Sequence, residues 1–198
     1  MKRLTFIAGG SAALIAAVTL GVVMVAGGAS GATPPAPPAI SSGAGIARAS
    51  LNAADQATLG RIGATGTITR VGSLAGTAFY SIIGSDGGHC YAFGSEAAGG
   101  LSGGCMPADA TVPAVLDMST VVMNPVDGSW KLDALQGIAA DGIAAVGFLD
   151  GAGVLHTTPV IGNVYRLAGR SLAGGPSSQL VGLDANGKRV FTEGLGTP

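Results

Sequence analysis

Gly100-Leu101-Ser102-Gly103-Gly104 matches the G-x-S-x-G pattern, in which two glycines let the chain turn sharply enough to project a serine hydroxyl. Two histidines, His89 and His156, are the residues that could serve Ser102 as general base. An exported serine hydrolase using Ser102 with one of them is the catalytic reading. That chemistry asks for a strand before the serine and a helix after it. Here a Gly-rich stretch precedes Ser102 and Cys105-Met106-Pro107 follows it, and with 35 glycines in 198 residues the pattern arises readily by chance. His89 adjoins Cys90, but successive strand residues point to opposite faces, which makes a poor Cys-His dyad. The balance favours a protein with no catalytic residues and no cofactor.

Metal chemistry fares no better. Asp86, Asp127, Asp141, Asp150 and Asp184 each lie near a glycine. Calcium needs several oxygens converging at once. Asp184-Ala185-Asn186-Gly187 comes nearest, yet lacks the third acidic position and the distal Glu of an EF-hand loop. A hairpin turn suits it better, because Asp and Asn bond their own backbone and accept left-handed geometry. No zinc spacing and no Gly-rich phosphate loop followed by Lys-Ser/Thr appears. Asn163-Val164-Tyr165-Arg166 is the remaining candidate. Asn163, Tyr165 and Arg166 near a strand end could form a recognition surface, unless Tyr165 packs inward and leaves Arg166 facing water.

Where such residues would work is set by the N-terminus. Met1-Lys2-Arg3 is followed by no charged residue until Arg48, and Leu4 to Ala29 is almost wholly apolar or small. Charge at the start holds the N-terminus in the cytoplasm. The segment 1–32 is therefore a signal peptide or a transmembrane anchor. Its length favours an anchor; the small residues Ser30-Gly31-Ala32 favour cutting. In either case the rest of the chain is expected outside the cytoplasmic membrane, secreted or anchored facing outward. An exported chain with an even pair of cysteines favours a disulfide, Cys90–Cys105.

Composition excludes other roles. The net charge is −1, and past Ala32 eight basic residues face eleven acidic ones. With no Lys/Arg cluster to neutralise phosphates, nucleic-acid binding is not expected.

The elements that must position these residues read as follows. Residues 33–49, TPPAPPAISSGAGIARA, read as a flexible Pro/Gly/Ala-rich linker. One short helix runs from about Ser50-Leu51 to Ile62, capped by Ser50 or Asn52. From Gly66 onward the text is strand and turn. Gly66–Val71, Ala78–Gly84 and His89–Gly94 are β-branched or aromatic runs, and Glu96–Pro107 reads as a Gly-rich loop pinned to the strand of Cys90. Residues 50–112 thus form a short helix and a disulfide-linked hairpin region. In 113–198, Ser119–Met123, Trp130–Leu135, Ile143–Leu149, Val154–Thr158, Asn163–Leu167, Leu180–Leu183 and Arg189–Thr192 alternate with Asp/Gly turns. That grammar predicts an all-β, antiparallel sandwich.

The run Pro113–Thr192 resembles a bacterial extracellular immunoglobulin-like module. The resemblance rests on Gly137-Ile138-Ala139-Ala140-Asp141-Gly142, Val146-Gly147-Phe148-Leu149-Asp150 with Gly153, Pro159-Val160, Asn163-Val164-Tyr165, and Leu183-Asp184-Ala185-Asn186-Gly187. The whole chain resembles uncharacterised exported proteins of high-GC Gram-positive bacteria. This likeness implies an immunoglobulin-like sandwich with an N-terminal hairpin extension, a cell-envelope location and no particular activity. One departure stands out: both cysteines precede Trp130, so the antibody-type Cys…Trp…Cys order is missing. The expected function is a non-catalytic envelope protein, a binding or structural module. Its partner would be an extracellular protein or a cell-wall ligand, with the membrane as a further partner if the leader stays uncut.

Overall fold

The computed structural model describes residues 39–195 apart from 85, 119, 125, 127 and 128. The apolar segment 1–32 and the prolines after it lie outside the described residues. Among the described residues, no helix is long and apolar enough to cross a membrane.

The first part of the chain builds one antiparallel five-stranded sheet. Its strands are β1 (Ala44–Ile46), β2 (Thr67–Leu74), β3 (Thr77–Ile83), β4 (His89–Ser95) and β5 (Gly99–Met106), side by side in chain order. A single 3-10 turn, Arg48–Ser50, leads into helix α1 (Ala53–Arg61). Asn52 caps that helix, its side chain accepting from the Asp55 N–H.

Two sequence expectations are corrected here. Residues 39–49 do not run as a free linker: Ala44, Gly45 and Ile46 pair with Arg70, Thr69 and Ile68 of β2. Glycine and alanine there obscure the strand because neither carries a side chain that displays alternation. For the same reason the Gly-rich stretch after Glu96 read as a loop, whereas Gly99–Met106 is a full strand. Glycine permits its close pairing, since a Cβ on Gly103 would collide with the Tyr91 carbonyl oxygen. The hairpin extension is thus a five-stranded sheet.

The rest of the chain supplies β6 (Val115–Asp117), β7 (Thr120–Met123), β8 (Trp130–Ala139), β9 (Ala145–Leu149), β10 (Leu155–Pro159), β11 (Val164–Ala173), β12 (Gln179–Leu183) and β13 (Arg189–Gly194). The second sheet centres on β8, with β11 on one side and β6 then β7 on the other. The third has the order β10-β9-β12-β13. All pairings are antiparallel.

Side-chain alternation stacks these elements. On the odd-numbered face of β3 and β4, Phe79 and Tyr91 pack with Val71, Met106, Leu116, Ile138 and Val164, joining the first sheet to the second. The even-numbered face carries Ile82, Cys90 and Ala92 and packs under Leu59 of α1. Trp130, Leu132, Leu135 and Tyr165 of the second sheet meet Val146, Phe148 and Leu180 of the third. Trp130 and Phe148 meet edge to face at 6.1 Å. The second sheet is thereby buried on both sides. That explains why β8 alternates over Trp130–Ala134 and then becomes buried at every position to Ala139.

One turn is strained. Ala75, between β2 and β3, has φ 51°, a left-handed conformation that costs an L-residue about 1–2 kcal/mol. Ala75→Asn is expected to raise stability by about 0.5–1 kcal/mol, read as a higher urea midpoint at unchanged slope.

Candidate functional site

A cleft of about 380 Å³ opens where α1, β3 and the β4–β5 turn meet. Ser50, Asn52 and Asp55 form one wall, Ser95 to Gly99 the other, and Tyr80, Leu51 and Leu101 also line it. Asp55 holds the two walls together. Its Oδ1 accepts from Gly100 N–H at 2.9 Å and Leu101 N–H at 3.1 Å, and its Oδ2 accepts from the Asn52 amide at 2.7 Å. Gly99 and Gly100, with φ of +66° and +86°, let those backbone donors converge on one carboxylate. A side chain on Gly99 would also press on Asn52.

The rim carries an ion pair between Arg70 and Glu96, whose side chains are 42% and 39% exposed. Such an exposed pair adds little stability. Its effect is to place a carboxylate at the cleft with its counter-ion attached. Ser95 Oγ accepts from Ala98 N–H at 3.1 Å, leaving its own proton to donate. Tyr80 is half-buried, and its hydroxyl makes no hydrogen bond among the described residues.

Further along the same two strands, four residues from the cleft end, Cys90 of β4 and Cys105 of β5 stand directly opposite each other and are joined as a disulfide. This is the pairing expected from the sequence. The bridge and Asp55 fix β5 at two points along its length.

The structure does not bring Ser102 and the histidines together. Ser102 lies opposite Phe93 and His89 opposite Met106, an offset of four residues or about 13 Å along the strands. Ser102 sits inside β5, with no helix after it. His156 belongs to β10 in another sheet, where its Nε2 lies 2.9 Å from Asp150 Oδ2. The acidic residues cap turns: Asp184 Oδ1 accepts from Asn186 and Lys188 N–H, and Asp150 Oδ1 from Ala152 and Val154 N–H. Among the described residues no group of three or more His, Cys, Asp or Glu could hold a metal ion.

Asn163 and Arg166 lie at the seam between the first and second sheets, whereas Tyr165 turns into the core shared with the third sheet. Tyr165 is fully buried and its hydroxyl donates to Leu116 O at 3.0 Å, so it offers no surface. Arg166 reaches across to Thr77 Oγ1 at 2.6 Å. Asn163 takes the left-handed conformation, φ 61°, which Asn tolerates better than most residues. Its amide donates to Ala139 O and Asp141 Oδ1, and its Oδ1 accepts from Ser42 N–H. Asp141 Oδ1 also accepts from the Ser41 N–H and hydroxyl. The chain before β1 is thus strapped across the seam.

These bonds set an acid response. The Asn163 amide, then the Ser41 N–H, hold the Asp141 carboxyl below its ordinary value, and His156, then the Val154 N–H, do the same for Asp150. Burial pushes Glu193 the other way. Groups with depressed folded-state values stabilise the fold above the ordinary carboxyl range, and that stability is lost as the pH falls through and below it. Glu193 opposes the fold at neutral pH and ceases to do so on protonation. Asp141→Asn with Asp150→Asn is expected to flatten the fall in urea midpoint from pH 7 to pH 3. Glu193→Gln is expected to raise the midpoint at pH 7 and not at pH 3.

No protein-family model matches this chain, no curated protein is significantly similar to it, and no solved structure is either.

The seam residues stand out in the sequence as types, whereas nothing local marks the cleft residues Tyr80, Asp55, Ser95 and Glu96 as belonging together. They come from three separate segments that only the folded sheet brings together. The local signals were Asn52 followed three residues later by Asp55, and the Gly99-Gly100 pair.

Proposed function

We propose that this chain is a non-catalytic binding module of the bacterial cell envelope, working outside the cytoplasmic membrane. The observation that carries the reading is the cleft itself. A concave space lined by polar groups, its walls tied together by the Asp55 carboxylate, offers room and hydrogen-bonding groups for a ligand. The disulfide supports the location, because such bonds persist in oxidising compartments. The apolar segment 1–32 supplies export or anchoring, and with an uncut leader the membrane is a further partner. We read β6 to β13 as an immunoglobulin-like sandwich, on the strength of two antiparallel sheets facing across Trp130, Phe148 and Tyr165.

Cell fractionation with N-terminal sequencing, followed by incubation of the purified chain with washed envelope fragments, tests this reading. An extracytoplasmic chain starting near Thr33 or at Met1, with saturable binding to the fragments, is the expected result. A cytoplasmic chain, or a hydrolytic activity lost in Ser102→Ala, would overturn it.

A further inference from the structure

We infer that the cleft takes a neutral saccharide of one or two rings, an assignment that rests on the binding-module reading above. Charge narrows the choice first. Asp55 and Glu96 both line the cleft. An anionic ligand would meet two carboxylates, and the nearest cation, Arg70, is already paired with Glu96. A cationic ligand finds those same carboxylates answered. Asp55 has the Gly100 and Leu101 N–H groups and the Asn52 amide, and Glu96 has Arg70. Displacing such donors to bind an ammonium would cost their hydrogen bonds.

Polarity narrows it again. Most of the lining is Ser50, Asn52, Asp55, Ser95, Glu96 and the Gly-rich turn, so an aliphatic ligand would desolvate polar groups without partners. With the carboxylates answered, what remains on offer is neutral: the Tyr80 hydroxyl, which can donate and accept, and the Ser95 hydroxyl, whose proton is free to donate. Sugar hydroxyls both donate and accept, and they match such a set group for group. Tyr80 adds apolar ring surface next to its polar tip, which suits a ring whose C–H groups and hydroxyls alternate. The volume, about 380 Å³, sits near the small end of the roughly 300–1,000 Å³ range of ligand sites, which sets the one- to two-ring limit.

The full chain would be titrated calorimetrically with cellobiose, maltose and N,N′-diacetylchitobiose, and with glucuronate and glucosamine as charged counterparts. Saturable binding of at least one neutral disaccharide, with neither charged sugar preferred, is expected. Tyr80→Phe keeps the packing and should weaken binding by about three- to tenfold, the effect of one hydrogen bond. Tyr80→Ala should abolish it, and the urea midpoint of each variant reports whether the fold survives. Absence of binding by all three disaccharides, preference for a charged sugar, or unchanged affinity in Tyr80→Phe and Tyr80→Ala would overturn the assignment. An extracytoplasmic chain that binds envelope fragments and ignores every sugar sinks this inference alone, whereas a cytoplasmic chain sinks the module reading beneath it.

Discussion

Ile138→Ala is expected to destabilise the whole described fold by about 2–5 kcal/mol, in a single transition. Ile138 is fully buried in β8 and packs toward the first sheet with Val71, Phe79, Tyr91 and Val164. Its neighbours Leu135 and Ala139 point the other way, into the core shared with the third sheet. One strand therefore serves two cores. Removing three carbons from Ile138 leaves a cavity that the surrounding strands, fixed by their ladders, fill only in part. The loss should reach Trp130 on the far side of the second sheet as well as the amides of β3 and β4. Urea unfolding followed by Trp130 fluorescence and by hydrogen exchange of those amides should shift together. A first sheet that opens early while Trp130 holds its midpoint would show the layers to be independent. Val190→Ala is the control: Val190 is 51% exposed, and its loss should stay within about 0.5 kcal/mol.

Opening the Cys90–Cys105 bridge is the second large effect. The bond closes a loop of 15 residues, for which the chain-entropy account gives about 3 kcal/mol. A double replacement, Cys90→Ala with Cys105→Ser, is expected to lose that amount. The choice of residues follows exposure: Cys90 is 3% exposed and packs under α1, whereas Cys105 is exposed and its sulfur contacts Ile62 O. Denaturant curves of the parent with and without reductant should reproduce the shift, and the double variant should ignore reductant. Since β5 carries Gly100 and Leu101, whose N–H groups hold Asp55, the cleft should loosen first. Exchange of those two amides should rise more than exchange in β8.

Much of the fold was legible because its strands announce themselves. Trp130, Leu132 and Ala134 alternate with Lys131 and Asp133, and the Asp-Gly turns fall between runs of β-branched and aromatic residues. The helix was legible through Asn52 and its spacing. What stayed hidden was hidden by glycine and alanine. β1 and β5 are mostly glycine and alanine, with Ile46 and Leu101 as isolated apolar residues, and so few side chains show no period. The layering was hidden for another reason: a strand buried on both faces, as β8 is beyond Ala134, reads as a continuous apolar run and does not say what covers it. Of the candidate site, the disulfide followed from cysteine count and export. Asn163, Tyr165 and Arg166 were recognisable as unusual types near a strand end, yet whether they face solvent or a neighbouring sheet depends on contacts with Ser42, Leu116 and Thr77 that no local pattern encodes. The cleft depends on residues as far apart as Asp55 and Leu101, 46 positions in the chain.

The central claim is that this is a disulfide-braced module working outside the cytoplasm. Rapid alkylation of thiols in intact growing cells, followed by fractionation and mass analysis of the chain with and without reduction, tests it most directly. The account predicts a chain in the extracytoplasmic fraction that takes up no alkylating agent until reduced, and then takes up two equivalents. A cytoplasmic chain with Cys90 and Cys105 both alkylated before reduction would contradict it.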